Sequence, residues 1–135
     1  MGAVLVDSNV ILDVATNDAH WAPWSSAALA RSLDEAGLVI NPLIYAEVSV
    51  GYESVEELDT LLPPEIFQRQ ALPYEAAFLA GKAFVAYRRR GGRNRAPLPD
   101  FCIGAHALVA GYRLLTRDAK RYRSYFPTLD LIAPE

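Results

Sequence analysis

The sequence predicts an α/β fold: a three-layer α/β/α sandwich around a mainly parallel sheet of about five strands. Three observations lead there. Short, almost wholly apolar runs such as AVLV (3–6) and LVI (38–40) read as strands buried on both faces. Longer segments between them carry apolar residues at helical spacing. The two kinds alternate along the chain, which argues for parallel strands joined by helical crossovers.

The elements follow in order. AVLV forms the first strand and stops at Asp7. SNVILDVAT (8–16) reads as a short helix or helical turn with Ser8 as its cap. NDAHWAPW (17–24) reads as a loop, with Asn17, Asp18 and Pro23 supplying turn chemistry. SSAALARSLDEAG (25–37) has a serine start, helical spacing and a glycine stop. LVIN (38–41) is a second buried strand. Asn41 and Pro42 open the helix PLIYAEVSVGY (42–52), where a first-turn proline loses no needed hydrogen bond. SVEELDTLLPP (54–64) is a short helix: Ser54 and Glu57 match a capping box and two prolines end it. IFQRQALP (66–73) is a third strand and YEAAFLAGKAFVAYRRR (74–90) a long amphipathic helix. GGRNRAP (91–97) is a basic loop, and LPDFCIGAHALVAG (98–111) a helix ended by Gly111. YRLLT (112–116) is a fourth strand, RDAKRYRSYF (117–126) a short helix, and LDLIA (129–133) the last strand.

A chain of 135 residues fits one domain, taken as 1–135, and can bury one substantial core. An apolar fraction of 52% with 21% charged residues excludes a disordered chain, and the apolar runs are too short to span a membrane. The start MGAVLVDSNV lacks the basic region of a signal peptide, and one cysteine allows no internal disulfide, so a reducing cytoplasm is expected. The net charge of −3 hides an uneven distribution: eleven of 13 basic residues are arginine, and five of these lie between Arg88 and Arg95.

Ligands of parallel α/β folds bind at the carboxyl ends of the strands. Asp7 closes the first strand, and Asp118 follows the fourth by two residues. Asp100 begins a helix and reaches the same edge. Glu47 stands inside the apolar stretch LIYAEVSV, where it either turns to solvent or points into a shared site. Four converging carboxylates repel one another unless protons or a cation compensate. Oxygen-only ligands select a hard ion, Mg²⁺ or Mn²⁺.

LVDSNVILD, PLIYAEVSVGY, LPDFCIGAHALVAG and LLTRDAKRY resemble the motifs of PIN-domain nucleases. In size and order the chain is most similar to the VapC-type ribonuclease toxins of bacterial toxin–antitoxin pairs. The resemblance runs from Val4 to Ile132 and is weakest between Asn17 and Gly37. It implies a PIN-like fold and an endoribonuclease dependent on Mg²⁺ or Mn²⁺ that leaves a 3′-hydroxyl and a 5′-phosphate. It implies a cognate antitoxin and a homodimer as partners, with no membrane role. Carried over by motif, Asp7, Glu47, Asp100 and Asp118 form the acidic site. Asp7 and Asp100 are then direct metal ligands, and Glu47 and Asp118 act through water or hold a second ion. Ser8 and Thr116 hydrogen-bond the carboxylates, and Asn9 steadies the turn behind Asp7.

Other residues invite plainer readings. Asp7 and Asp118 also suit helix caps, and Asp100 suits a helix N-terminus. Asp13 reads as solvated or structural, and Glu53, Glu56, Glu57 and Asp59 as one solvated helix face. Cys102 and His106 share a helix face, but a zinc site needs about four ligands and a thiol nucleophile needs an oriented base. Packing is their expected role. Arg88, Arg89, Arg90, Arg93 and Arg95 lead into Asp100 and are expected to contact RNA phosphates, with Arg117 and Arg121 extending that track. Trp21 and Trp24, with Leu29 and Leu33, fit a core or, as the resemblance to VapC-type toxins implies, a groove that receives an antitoxin helix.

Two other functions compete. Phosphoryl transfer on an aspartate also uses acids at strand ends, but DSNVILD lacks a second Asp two residues on, and no lysine follows a late strand in the receiver manner. A non-catalytic PIN-like module binding RNA or a partner is the other; the complete acid set speaks against it.

Overall fold

The computed structural model describes residues 2–92 and 97–134. Its twelve elements are β1 (Val4–Val6), α1 (Ser8–Ala15), α2 (Ala22–Glu35), β2 (Leu38–Ile40), α3 (Pro42–Ser49), α4 (Val55–Leu61), β3 (Phe67–Arg69), α5 (Tyr74–Arg89), α6 (Pro97–Ala110), β4 (Arg113–Leu115), α7 (Ala119–Tyr125) and β5 (Leu131–Ile132). The strands form one sheet in the order β3-β2-β1-β4-β5, with every neighbouring pair parallel. This is the expected α/β/α sandwich with its five strands.

Every residue of β1 and β2 is buried, although successive side chains point to opposite faces. Both faces are therefore covered, which is why these strands are continuous apolar runs rather than alternating ones. β3, at one edge, exposes Gln68 and Arg69. On the faces, α5 packs on α6, and α1 packs on α2 and α3.

The chain moves from β1 to β2 and β3 on one side, then returns to place β4 on the other side of β1. That reversal opens a crevice between the carboxyl ends of β1 and β4, the usual ligand position in such sheets. In register, Val6 lies opposite Leu115, and the Asp7 N–H donates to the Leu115 carbonyl at 2.9 Å. Asp7 and Thr116 therefore leave the sheet side by side.

Several local expectations change. Asp7, not Ser8, is the N-cap of α1: its extended backbone (φ −67°, ψ 148°) lets its carboxylate accept the Ser8 N–H at 2.8 Å. α2 begins at Ala22, so Pro23 lies in a first helical turn and not in a loop. The preceding turn is held by Asp18, whose Oδ1 accepts the N–H groups of His20 (2.9 Å) and Trp21 (2.8 Å). The α4 start is as expected, with Ser54 Oγ accepting the Glu57 N–H at 3.1 Å; Glu57 in turn accepts the N–H of Glu53. Asp59 is not merely solvated: it accepts from Tyr45 (2.8 Å) and Arg69 (2.7 Å). Gly111, in the left-handed region at φ 75°, ends α6 and returns the chain to β4.

Asp13 is structural. Its side chain is 4% exposed and takes two hydrogen bonds from Arg117, Nε to Oδ2 at 2.7 Å and Nη2 to Oδ1 at 2.9 Å. Ser25 Oγ donates to it as well, at 2.7 Å, and the Arg117 guanidinium lies over the Trp21 ring. One carboxylate thus joins α1, α2 and the turn after β4. Removing Arg117 leaves that buried charge unpaired. Arg117→Ala is expected to lower stability by about 3 kcal/mol in urea unfolding. The double variant Asp13→Ala/Arg117→Ala should lose less than the sum of the two single losses; strict additivity would mean the pair does not act as a unit.

Candidate active site

At the β1–β4 crevice Asp7 is 4% exposed, yet both carboxylate oxygens accept hydrogen bonds. Oδ1 accepts the Ser8 N–H at the start of α1. Oδ2 accepts the Thr116 hydroxyl at 2.8 Å and the Tyr122 hydroxyl at 3.0 Å. Thr116 is fully used, since its oxygen also accepts the Asp118 N–H at 3.0 Å and the Asn9 amide at 3.5 Å. Asn9 Oδ1 accepts the Arg117 N–H at 3.2 Å. Asn9 therefore steadies the turn after β4, not the turn behind Asp7.

Glu47 does point inward. From α3, its Oε1 accepts the Ser8 hydroxyl at 2.7 Å. A single serine thus serves two acids, donating its N–H to Asp7 and its O–H to Glu47. Asp100, in the first turn of α6, is half-buried and pairs with Arg121 of α7, Nη1 to Oδ2 at 2.6 Å. Asp118 occupies the N-cap position of α7 without a side-chain cap bond and is exposed.

Burial and neighbouring charges act on these acids together. Burial pushes the Asp7 carboxyl up to about 6; the hydroxyls of Thr116 and Tyr122 oppose this, while the charges of Asp100 and Glu47 add to it. Burial also raises Glu47, with Ser8 pulling it down and Asp100 pushing it up. Asp100 is raised by burial against the hydrogen bond and charge of Arg121, with the charge of Asp118 adding to the rise. Asp7, Glu47 and Asp100 thus form one coupled cluster, and Asp118 sits at its rim beside Asp100. Among the described residues no three His, Cys, Asp or Glu side chains stand as a ready-formed metal cage. Asp100 is turned onto Arg121 and Glu47 onto Ser8. The donor chemistry nevertheless fits a hard divalent cation: all-oxygen, and raised in part by mutual repulsion.

Cys102 and His106 stay out of the site. His106 is 1% exposed, and its Nδ1 lies 3.0 Å from the Asn41 amide nitrogen. Asn41 Oδ1 accepts the Ile44 N–H as the cap of α3, so its amide nitrogen faces the ring and Nδ1 must accept. The imidazole is then neutral with its proton on Nε2, and burial lowers its pKa. The Cys102 thiol is raised by burial, opposite to an activated nucleophile.

Arg117 is committed to Asp13 and leaves the expected RNA track. Arg121 lies within the acid cluster. Arg88, Arg89 and Arg90 are exposed at the end of α5, with Arg90 over the Tyr125 ring at 4.9 Å. Arg93 and Arg95 lie outside the described residues. Trp24 and Leu29 pack against the core, whereas Leu33 is exposed. Sequence reasoning missed Tyr122 altogether. No local signal marked it, since the acid it binds lies 115 positions away.

The PIN domain family model matches residues 4–126. The chain belongs to the PIN-domain family. No curated protein matches the sequence of this PIN domain. Solved structures similar to it include VapBC2 from Rickettsia felis bound to a DNA fragment from their promoter, with a TM-score of 0.73 and 16% identity over 98% of this chain and 99% of that one. VapBC-1 from nontypeable Haemophilus influenzae has a TM-score of 0.72 and 18% identity, covering 97% of both chains. A toxin–antitoxin complex from Klebsiella pneumoniae has a TM-score of 0.66 and 18% identity, covering 98% of both.

The raised Asp7 carboxyl has a consequence for the metal-free PIN domain. Its folded pKa of about 6 exceeds the ordinary 3.8, so the stability it contributes is fully present below 3.8 and lost as pH rises through about 6. At pH about 7.5, Asp7→Asn should therefore raise stability by up to about 3 kcal/mol, with the advantage closing toward acid pH. Urea midpoints of both proteins across that range measure it; a variant less stable than wild type throughout would contradict the burial argument.

Proposed function

We propose that this PIN domain is a divalent-metal-dependent endoribonuclease and the toxin of a toxin–antitoxin pair, neutralised by a small antitoxin protein. The observation that carries the reading is the buried Asp7 at the β1–β4 switch point, joined through Ser8 to Glu47 and reached by the charge of Asp100. Membership of the PIN family and similarity in fold to VapBC and toxin–antitoxin complexes support it.

In this reading Asp7 and Asp100 hold the ion, Mg²⁺ or Mn²⁺, and Glu47 and Asp118 act through water or hold a second one. When bound, such an ion neutralises phosphate charge and acidifies a water. The chain's own residues supply the rest. Ser8 and Thr116 fix the Asp7 and Glu47 carboxylates, so little reorganisation is left for the moment of reaction. Arg121 balances Asp100 and stands where a phosphate meets the acids. Arg88, Arg89, Arg90, Arg93 and Arg95 draw the RNA backbone toward Asp100. The toxin works as a cytoplasmic homodimer that the antitoxin covers.

The test is cleavage of structured RNAs with Mg²⁺ or Mn²⁺. Wild type should cut, a chelator should stop it, and Asp7→Asn and Asp100→Asn should each lose about a hundredfold or more in rate, as expected for missing metal ligands. Equal cleavage by all three proteins would sink the assignment, and no cleavage by any of them would favour the non-catalytic RNA- or partner-binding module. Replacing Arg88, Arg89 and Arg90 by glutamine should weaken RNA binding across sequences alike. The slope of log affinity against log salt should then fall by about 0.7 for each phosphate that is no longer neutralised. An unchanged slope would remove these arginines from the interface.

A further inference from the structure

Helix α7 reaches the acid cluster with two successive side chains, Arg121 to Asp100 and Tyr122 to Asp7. Tyr122 is 1% exposed, and its ring lies against α6 at Gly104. A Cβ on Gly104 would come within 2.9 Å of Tyr122 Cδ1 and 2.8 Å of Phe126 Cε2. The missing side chain is what lets α7 approach α6 closely enough for the phenol to reach Asp7.

A carboxylate offers about four lone-pair sites, two on each oxygen. Among the described residues, Thr116 and Tyr122 fill both on Asp7 Oδ2, and the Ser8 N–H takes one on Oδ1. One site remains, on Oδ1. We propose that Tyr122 is a positioning residue of the metal site: with Thr116 it closes Oδ2, so that Asp7 presents a divalent ion with one oxygen, Oδ1, in one direction. The proposal rests on the nuclease reading above and specifies how its metal is held. Chelation through both oxygens would require a hydroxyl to let go. Without the phenol, one Oδ2 site opens to the ion, and only Thr116 and the Ser8 N–H still hold the carboxylate. Tyr122 acts on the ion only through Asp7.

The experiment is Mn²⁺ binding at one fixed, mildly alkaline pH, followed by the paramagnetic resonance of free Mn²⁺. The proteins are wild type, Asp7→Asn, Tyr122→Phe and Tyr125→Phe. Phenylalanine keeps the ring and its packing on Gly104 and removes only the hydroxyl; near-ultraviolet circular dichroism checks that the fold is kept. Asp7→Asn should lose the site, and Tyr122→Phe should bind about ten-fold or more weakly, the usual effect of removing a partner of a metal ligand. Tyr125→Phe, which removes a phenol from the same helix, should bind as wild type does. Gly104→Ala, which pushes the phenol away, should follow Tyr122→Phe. Wild-type affinity in Tyr122→Phe, where Asp7→Asn fails to bind, overturns the proposal and leaves the nuclease reading standing. An equal loss in Tyr125→Phe assigns the effect to a general loosening of α7 and overturns it too. Absence of Asp7-dependent Mn²⁺ binding in wild type overturns both.

Discussion

The hydrogen bond from Thr116 to Asp7 joins two strands that are far apart in the chain, and the site is built outward from it. A buried carboxylate is tolerated only if donors replace the water it has lost. Here the donors come from three places: the first N–H of α1, the end of β4 and one side chain of α7. The Asp7 N–H is itself anchored on β4. None of this would be in place unless β1 and β4 were neighbours, which the reversal of strand order arranges. The crevice that this reversal opens is therefore also where polar groups from distant segments can meet.

Charge sets the second constraint. Burial pushes Asp7, Glu47 and Asp100 toward their protonated forms, and neighbouring charge adds to it: Asp100 and Glu47 on Asp7, Asp100 on Glu47, and Asp118 on Asp100. The nearby cations are divided between tasks. Asp13 captures Arg117 in a two-bond ion pair and holds it against Trp21. Arg121, four residues on, is left to balance Asp100. A buried acid outside the cluster thus decides which arginine reaches it. Among the described residues no buried side-chain polar atom lacks a hydrogen-bond partner, so this crowding of polar groups is fully satisfied.

Much of this was legible in the chain. The strands were readable because burial on both faces makes them continuous apolar runs, and the helix stops because glycine ends them. The four acids were readable as candidates from their local settings (Asp7 at a strand end, Glu47 inside an apolar helix, Asp100 at a helix start, Asp118 after LLTR), and as one site only through the resemblance to PIN-domain nucleases. Other features left no local trace. Trp21 and Pro23 looked like a loop because α2 is entered through a turn held by Asp18, which composition does not mark. Whether Asp13 was solvated or structural stayed open, because its partner lies 104 positions away. Tyr122 drew no reading at all, because the acid it reaches lies 115 positions away.

The sequence by itself determined the alternation of strands and helices, the end of the sheet to which the acids belong, and the demotion of Cys102 and His106. Each of these depends on periodicity, caps or a count of ligands, all of them local properties. The tertiary structure alone decided that Glu47 turns inward onto Ser8, that Asp118 stays at the rim, and that Arg117 and Arg121 part ways. It also brought a phenol over Gly104 to rest on Asp7. These outcomes depend on distances between side chains far apart in the chain, and on which groups lose their water together. Such distances exist only once the sheet has set its strand order and the helices have packed on it.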